Sequence, residues 1–266
     1  MASSLYQLKQ RSLAKRALEK LFDNGETTIV IHYACESFFK LEDGESPRIS
    51  CISVKNLGSG HATSFSIHHF AERKGISISD IKSNYNELEL DLLADFFDFV
   101  RNNQGYTWAH WNMRNINFGF HAIEHRYHVL GGDPVVLPDA RKVDISDIMI
   151  KLYGVDYSPK PVLANLCQLN DITSEFFLEG REEAEAFERG EFRQIHQSNL
   201  KKVDFISYVA EKALTGKLKT QSSWWQAHGM HPRIIIDLIR EHWVVGFLAL
   251  VVLVFAIVRG VYFIAG

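Results

Sequence analysis

Two histidines and a glutamate have the spacing of an inverted zinc-peptidase motif. His121, Glu124 and His125 read His-x-x-Glu-His. In a helix both imidazoles would lie on one face, where they could bind Zn²⁺ while the glutamate acted as a base. Short patterns with two free positions arise often by chance, and no acidic third ligand stands out downstream. The sequence therefore favours a histidine-rich exposed helix face over a zinc site.

A thiol and an imidazole could also form a nucleophilic pair, with Cys35 next to His110 or His196. Cys35 lies in an apolar, β-branched segment, so we expect it on a core strand, where a buried thiol is inert. Cys51 and Cys167 are expected to be reduced core residues as well, because three cysteines cannot build a disulfide scaffold in so long a chain.

The composition is that of an ordinary globular protein. The chain has 266 residues, of which 46% are hydrophobic and 23% charged, and this balance excludes a disordered or fibrous chain. A formal net charge of −3 provides no basic field for gripping duplex nucleic acid. The sequence has no phosphate-binding glycine loop and no dinucleotide-binding fingerprint.

Hydrophobic patterning predicts an α/β domain that positions these residues. Three β-like segments separated by short connections predict an antiparallel meander: TTIVIHYACESFF, RISCISVKNL and HATSFSIHHF. In the third segment His61, His68 and His69 are expected at the surface. The full order β-β-β-α-β-α-β-α-α-α predicts a mixed sheet with β/α crossovers and helices on its faces. The charged stretch REEAEAFERGE is expected to be a solvated helix face or an insertion.

This element order is the one found in ribonuclease-H-like nucleases, and the local sequences resemble a DEDD-type 3′–5′ exonuclease. That family has Asp-x-Glu on its first strand, where this chain has Ala34, Cys35 and Glu36. A second family motif runs from the fourth strand into the next helix. It corresponds to AHWNMRNINF, with His110 at the His position and Asn115 at the Asp position.

Two further motifs complete the resemblance, which covers roughly residues 26–216. A strand that ends in an acid before a helix corresponds to Val143, Asp144 and Ile145. The last helix of the family begins with His followed by Asp five residues later, and here the two positions hold His196 and Lys201. The order and spacing of the motifs carry the resemblance, because each motif alone is weak.

The resemblance implies two-metal phosphodiester hydrolysis, in which four carboxylates hold two divalent ions. Only Glu36 keeps a carboxylate, since Ala34 cannot ligate, Asn115 offers one neutral oxygen and Lys201 adds a cation that could pair with Glu36. We therefore expect no catalysis and no metal cofactor. The expected binding groove is formed by Glu36, His110, Asn115, His196 and Lys201.

The alternative is an active nuclease that needs Mg²⁺ or Mn²⁺, with Asp144 as the first candidate for a replacement acid and Asp147 as another. A third hypothesis is a membrane-perturbing effector of bacterial anti-phage defence with an exonuclease-like sensor domain.

An apolar segment at the end of the chain predicts a membrane anchor. The stretch from Trp243 to Ala265 has 23 residues and one charge, Arg259, near its far end. Basic residues are concentrated before this stretch, so the positive-inside rule predicts a single-pass protein whose N-terminal body lies in the cytoplasm. The basic residues that precede it are Lys212, Lys217, Lys219, Arg233 and Arg240.

Four regions follow from these patterns: an N-terminal amphipathic helix (1–25), an exonuclease-like domain (26–216), a juxtamembrane linker or amphipathic helix (217–240) and a transmembrane anchor (241–266). The expected function is a membrane-anchored, non-catalytic domain that binds a nucleic-acid end, a nucleotide or a protein. Membrane lipid, single-stranded nucleic acid or nucleotide, and a protein partner or second copy through the C-terminal helices are the expected partners.

Overall fold

A computed structural model describes residues 4–37, 46–114, 118–173 and 177–222, together with Phe247 and Leu250. Eight α-helices and five β-strands follow one another along these ranges. The helices and strands are α1 (Ser4–Asp23), β1 (Thr28–Cys35), β2 (Ile49–Asn56), β3 (Ala62–Ser66), α2 (Ile67–Arg73), α3 (Tyr85–Asn102), β4 (Thr107–His110), α4 (Phe120–Val129), β5 (Lys142–Asp144), α5 (Ile145–Tyr153), α6 (Val162–Leu169), α7 (Gly180–Arg189) and α8 (Phe192–Leu214).

The strands form one mixed sheet in the order β3-β2-β1-β4-β5. The first three strands pair antiparallel as a meander, and β4 and β5 extend the sheet in parallel to β1. The predicted mixed α/β sheet is confirmed. Its parallel half brings the carboxyl ends of β1, β4 and β5 to the same edge, which is where open α/β sheets bind ligands.

Helices cover both faces of the sheet because its central strand is apolar on both sides. All eight residues of β1 are buried. Ile29, Ile31 and Tyr33 pack into one core together with residues of α3 and α4, whereas Val30 packs into a second core with residues of α1, α5 and α8. Such a strand has a continuous apolar run instead of an alternating pattern.

The N-terminal segment forms α1, which packs against α5 and α8. Ala14, Leu18 and Leu21 are its buried apolar side chains and belong to the second core. Lys15, Arg16 and Lys20 of this helix are exposed, whereas Arg11 donates a hydrogen bond to the backbone oxygen of Leu152, on α5.

Two expectations about local structure are wrong. The segment HATSFSIHHF does not continue as a strand, since β3 ends at Ser66 and α2 begins at Ile67. Ile67, Phe70 and Ala71 have helical spacing and are buried in the first core, and this packing overrides the β-like composition. As a result His68 is buried and not at the surface.

The charged stretch near residue 185 is more than a solvated face. It forms α7, whose Ala186 and Phe187 are buried in the first core. Glu183 is buried as well, one turn before Phe187. The helix therefore presents a carboxylate to the interior, which the run of exposed charges around it conceals in the sequence.

The predicted anchor (241–266) and most of the predicted juxtamembrane region (217–240) lie outside the described residues, apart from Phe247, Leu250 and residues 217–222. None of the helices in the described part of the chain joins enough length to enough apolar character to traverse a bilayer.

Candidate functional site

A cleft of about 1310 Å³ opens at the carboxyl ends of β1 and β4. Its floor is formed by the end of β1 and by the side of α8 that faces the sheet, and its walls by α6, α7 and the loop after β4. Apolar and aromatic side chains make up much of the wall. They include Trp111, Phe118, Val162, Leu163, Phe177 and Leu178. A concave, largely apolar site with few polar groups is typical of small-molecule binding.

Glu36 lies in this cleft directly after β1, and both oxygens of its carboxylate are hydrogen-bonded to Arg48. Arg48 donates its backbone N–H to Oε1 at 2.7 Å and its Nε to Oε2 at 2.8 Å, and its Nη2 approaches Oε2 at 2.7 Å. The guanidinium also lies over the rings of Tyr85 and Phe187, at 5.1 and 5.2 Å from their centroids. Glu36 therefore fixes the start of β2 to the end of β1.

A second ion pair closes the floor of the cleft. The ammonium group of Lys202, on α8, bonds to the carboxylate of Glu183, on α7, and both side chains are about nine-tenths buried. Lys202 also lies 5.8 Å from the centroid of the Phe177 ring. A buried pair of this kind is costly to break, because either partner alone would be an uncompensated charge in the interior.

Two β1 side chains next to this pair remain uncharged near neutral pH. Burial, together with the positive charge of Lys202, lowers the pKa of His32 well below its usual value. Burial and the carboxylates of Glu183 and Glu36 raise the pKa of the Cys35 thiol well above its usual value. Cys35 is thus a thiol and not a thiolate, as are the buried Cys51 and Cys167, whose pKa values burial also raises.

His32 has an unusual feature for a buried imidazole. The residue is 7% exposed, and its Nδ1 has no hydrogen-bond partner among the described residues. Buried polar atoms are nearly always hydrogen-bonded, so an orphaned nitrogen calls for a specific explanation. His32 lines the cleft, although its Nδ1 atom is itself buried.

His110 and Asp144 lie at the ends of β4 and β5, where they hold the loop after β4. The Nδ1 atom of His110 accepts the backbone N–H of Met113 at 3.2 Å. Asp144 accepts the N–H groups of Asn112, Ser146 and Asp147 through Oδ1. Two of these bonds cap the first turn of α5.

The remaining oxygen of Asp144, Oδ2, pairs with Nε of Arg114 at 2.6 Å. Neither His110 nor Asp144 lines the cleft. Burial lowers the pKa of His110 to about 4, although the nearby Asp144 opposes this shift. Both residues therefore have structural partners that account for their burial.

The structure does not bring His196 and Lys201 to Glu36. Lys201 is exposed and lines a separate groove of about 510 Å³ beside Lys55 and Asp204. His196 bonds through Nε2 to Ser64, on β3, at 2.7 Å. The expectation that His196 and Lys201 share one groove with Glu36 is wrong. The side of α8 that faces the cleft carries Lys202 instead.

The other expected site positions are placed as follows. Ala34 is fully buried within β1 and has no group that could bind a ligand. Asn115 lies outside the described residues. On α4, His121 and His125 are exposed, and Nδ1 of His121 lies 3.2 Å from Glu124. Among the described residues the one candidate metal cluster does not include them.

Three residues of the cleft were not expected from the sequence: His32, Glu183 and Lys202. The helical period of α8 does contain a signal for Lys202, which precedes the fully buried Ile206 by four residues and Val209 by seven. No comparable signal marks His32, because every neighbour on β1 is buried whichever face it occupies.

Comparisons with known proteins assign no family. No protein-family model matches the chain, and no match was found among curated proteins or solved structures.

Proposed function

We propose that residues 26–216 form a ribonuclease-H-like domain, similar to a DEDD-type exonuclease, that binds a nucleotide or the end of a nucleic-acid strand without hydrolysing it. The sheet supports the fold part of this proposal. A three-strand antiparallel meander extended by two parallel strands is the arrangement that the resemblance implies.

The buried pair of Lys202 and Glu183 carries the non-catalytic part of the proposal. Two-metal hydrolysis needs several free carboxylates at the ends of the strands. In the cleft Glu183 neutralises Lys202, and Glu36 is bound by Arg48. A divalent ion would have to break these pairs, and breaking a buried pair costs about 3–5 kcal/mol. Asp144, the fallback acid, is engaged by three N–H groups and Arg114 and lies outside the cleft.

Aromatic and cationic groups support a nucleotide as the ligand. Phe118 stacks on Tyr33, with ring centroids 4.6 Å apart, and it shares the cleft wall with Phe177. A base stacked on such a ring gains about 1–3 kcal/mol. Lys160 and Arg181 are exposed residues of the same cleft, where phosphates could reach them. His32, whose Nδ1 has no hydrogen-bond partner among the described residues, lines the same cleft.

The apolar segment Trp243–Ala265 supports a membrane anchor as the second component of this function. The proposed protein is single-pass, with its ligand-binding body on the cytoplasmic side. Fractionation of cells tests this component. Deleting residues 241–266 should move the protein from the membrane pellet to the soluble fraction while residues 26–216 stay folded. A truncated chain that stayed in the pellet would contradict it.

Binding and hydrolysis are tested together on the purified full-length chain. Fluorescence anisotropy with short, labelled single-stranded DNA and RNA measures binding, with mononucleotides as competitors. The same oligomers incubated with Mg²⁺ or Mn²⁺ report cleavage. We expect binding, no cleavage, and an affinity about 10-fold weaker in Arg181→Glu, which corresponds to about 1.4 kcal/mol.

Matched variants outside the cleft serve as controls. Arg101 is, like Arg181, an exposed helical arginine paired with an acid of its own helix, so Arg101→Glu should bind as the unmodified chain does. His32→Leu should weaken binding, whereas His125→Leu, at an exposed histidine of α4, should not. Cleavage that Glu36→Ala abolishes would establish the active nuclease instead. Equal affinities for Arg181→Glu and Arg101→Glu would place the ligand elsewhere.

A further inference from the structure

Three histidines meet at the opposite end of the sheet from β5, where β3 leads into α2. His68 and His69 lie in the first turn of α2, and His196 reaches them from α8. Their ring centroids are 4.2 Å apart for His68 and His69, 5.2 Å for His68 and His196, and 4.8 Å for His69 and His196. One ring nitrogen of each residue lies within 4.8 Å of those of the other two. We call these residues the three-histidine corner.

Two serine hydroxyls of β3 orient the imidazoles of this corner. The Oγ atom of Ser66 lies 2.8 Å from Nδ1 of His68, and that of Ser64 lies 2.7 Å from Nε2 of His196. Each of these rings therefore has one nitrogen engaged and a second nitrogen for another ligand. A hydrogen bond to the distal nitrogen is what holds metal-binding histidines in the required tautomer and orientation.

Two imidazoles of the corner, those of His68 and His196, are in surroundings that disfavour their charged form. Burial and the neighbouring histidines lower the pKa values of His68 and His196 to about 4. Neutral imidazole is the form of histidine that binds a metal. Glu72, also on α2, is paired with Arg193, on α8, at 2.6 Å.

We propose that His68, His69 and His196 bind one transition-metal ion, with Zn²⁺ as the expected occupant and water in the fourth position. Imidazole nitrogens suit zinc and its neighbours, whereas Mg²⁺ and Mn²⁺ favour oxygen ligands. Tetrahedral coordination with Zn–N bonds of about 2.0–2.1 Å places ligand nitrogens roughly 3.3 Å apart. Small side-chain rotations would close the present spacing. His69 and His196 are half-buried, which leaves the fourth position accessible to solvent.

Such an ion would join α2 and the edge strand β3 to α8. The same helix places Lys202 in the cleft, six residues or roughly 9 Å further along its axis. The metal would therefore stabilise the position of the helix that forms the cleft floor. This inference does not depend on the nucleotide ligand, since none of the three histidines lines the cleft.

Metal analysis of the purified full-length chain tests the proposal. The chain is stripped with a chelator, reloaded with Zn²⁺ and titrated against a chromophoric chelator. Co²⁺ substitution reports the geometry through its visible d–d absorption. We expect one Zn²⁺ per chain, a Co²⁺ spectrum of tetrahedral type, and a melting temperature that rises when Zn²⁺ is added.

Graded variants separate a built site from surface binding. His69→Ala and His196→Ala should each weaken Zn²⁺ affinity by more than about 100-fold, because loss of an orienting partner alone costs about 10–100-fold. Ser64→Ala should fall within that smaller range. His125→Ala, at an exposed histidine of α4, is the matched control and should bind as the unmodified chain does. Zinc affinity unchanged in both His69→Ala and His196→Ala, or lost equally in His125→Ala, would overturn the proposal.

Discussion

The cleft and the three-histidine corner both lie along α8, but their ionisable groups have different kinds of partner. In the cleft each acid of the floor has a protein cation as its partner, Lys202 for Glu183 and Arg48 for Glu36. In the corner, three imidazoles face one another, and His68 and His196 are hydrogen-bonded to neutral serine hydroxyls. Glu36 and Glu183 are thus neutralised by cations of the protein, whereas the corner offers neutral donors that a metal ion could share.

This difference shows that the number of potential ligands does not determine where a metal can bind. Two carboxylates of the cleft, those of Glu36 and Glu183, could bind a metal only if ion pairs that are partly or fully buried were broken. The corner has only three donors, but they lie close together and no cation has to be displaced. Four experiments would break or sharpen the comparison.

The largest effect is expected from breaking the buried pair of the cleft. Lys202→Met should lower the free energy of unfolding by about 3–5 kcal/mol, because it leaves the carboxylate of Glu183 buried and unpaired. Urea denaturation followed by circular dichroism measures this loss. The double variant Lys202→Met/Glu183→Leu should recover most of it.

The control is the exposed pair of Arg181 and Glu185, both of which are on α7. Arg181→Met should change the free energy of unfolding by less than about 1 kcal/mol, the usual value for a solvent-exposed pair. Equal losses for Lys202→Met and Arg181→Met would mean that the cleft floor is hydrated, and the contrast with the corner would disappear.

The free energy of unfolding should depend on pH through His110, which is buried at the end of β4. Its folded pKa is about 4, while the unfolded chain has the usual value near 6.5. The unfolded state therefore binds more protons between these values. The free energy of unfolding should fall as the pH decreases through this window, by about 3 kcal/mol at most from this residue.

The variant His110→Asn isolates that contribution. The amide oxygen can still accept the N–H of Met113, but it does not titrate in this range. Denaturation curves at several pH values between about 6.5 and 5 should show a shallower pH slope for the variant, since the other buried histidines contribute to both proteins. Parallel slopes would contradict the assignment.

Much of the fold could be predicted from the sequence because its elements have strong local patterns. β1 is an apolar run interrupted by His32, and α3 has a clear helical stripe. The type of each element therefore follows from the spacing of its hydrophobic residues. The end of β3 could not be predicted, because Ile67 and His68 are compatible with a strand until their packing against the core is known. That boundary decides whether His68 is buried.

The site was less predictable because it depends on helix rotation and long-range contact. Lys201 and Lys202 are adjacent in the sequence but differ by about 100° around the axis of α8, so one lies in the cleft and the other is exposed. A motif alignment with a one-residue error selects the wrong lysine. The corner depends on contact between two helices far apart in the sequence, which a chain read in order does not show.

A smaller effect is expected at Glu36, which the resemblance assigns to metal binding and the geometry assigns to Arg48. Glu36→Gln should lower the free energy of unfolding by about 1–3 kcal/mol, the usual range for hydrogen bonds to a charged group. Asp98→Asn, in the exposed pair with Arg101, should cost less than about 1 kcal/mol. Mg²⁺ should not raise the melting temperature of the unmodified chain. A clear Mg²⁺-dependent rise that Glu36→Gln removes would show that the cleft binds a metal through Glu36.

The smallest effect is expected at Asp144, and two substitutions separate its possible roles. As the N-cap of α5 it should be replaceable by Asn, which also caps well, whereas Asp144→Ala should cost about 0.5–2 kcal/mol. Loss of the charge opposite the exposed Arg114 should add little, since exposed partners contribute at most about 1 kcal/mol. Thermal or urea denaturation of both variants should show that Asp144→Ala is less stable than Asp144→Asn. If the two were equally destabilised, the charge and not the cap would be what α5 requires, and Asp144 would return as a candidate for metal binding at the edge of the sheet.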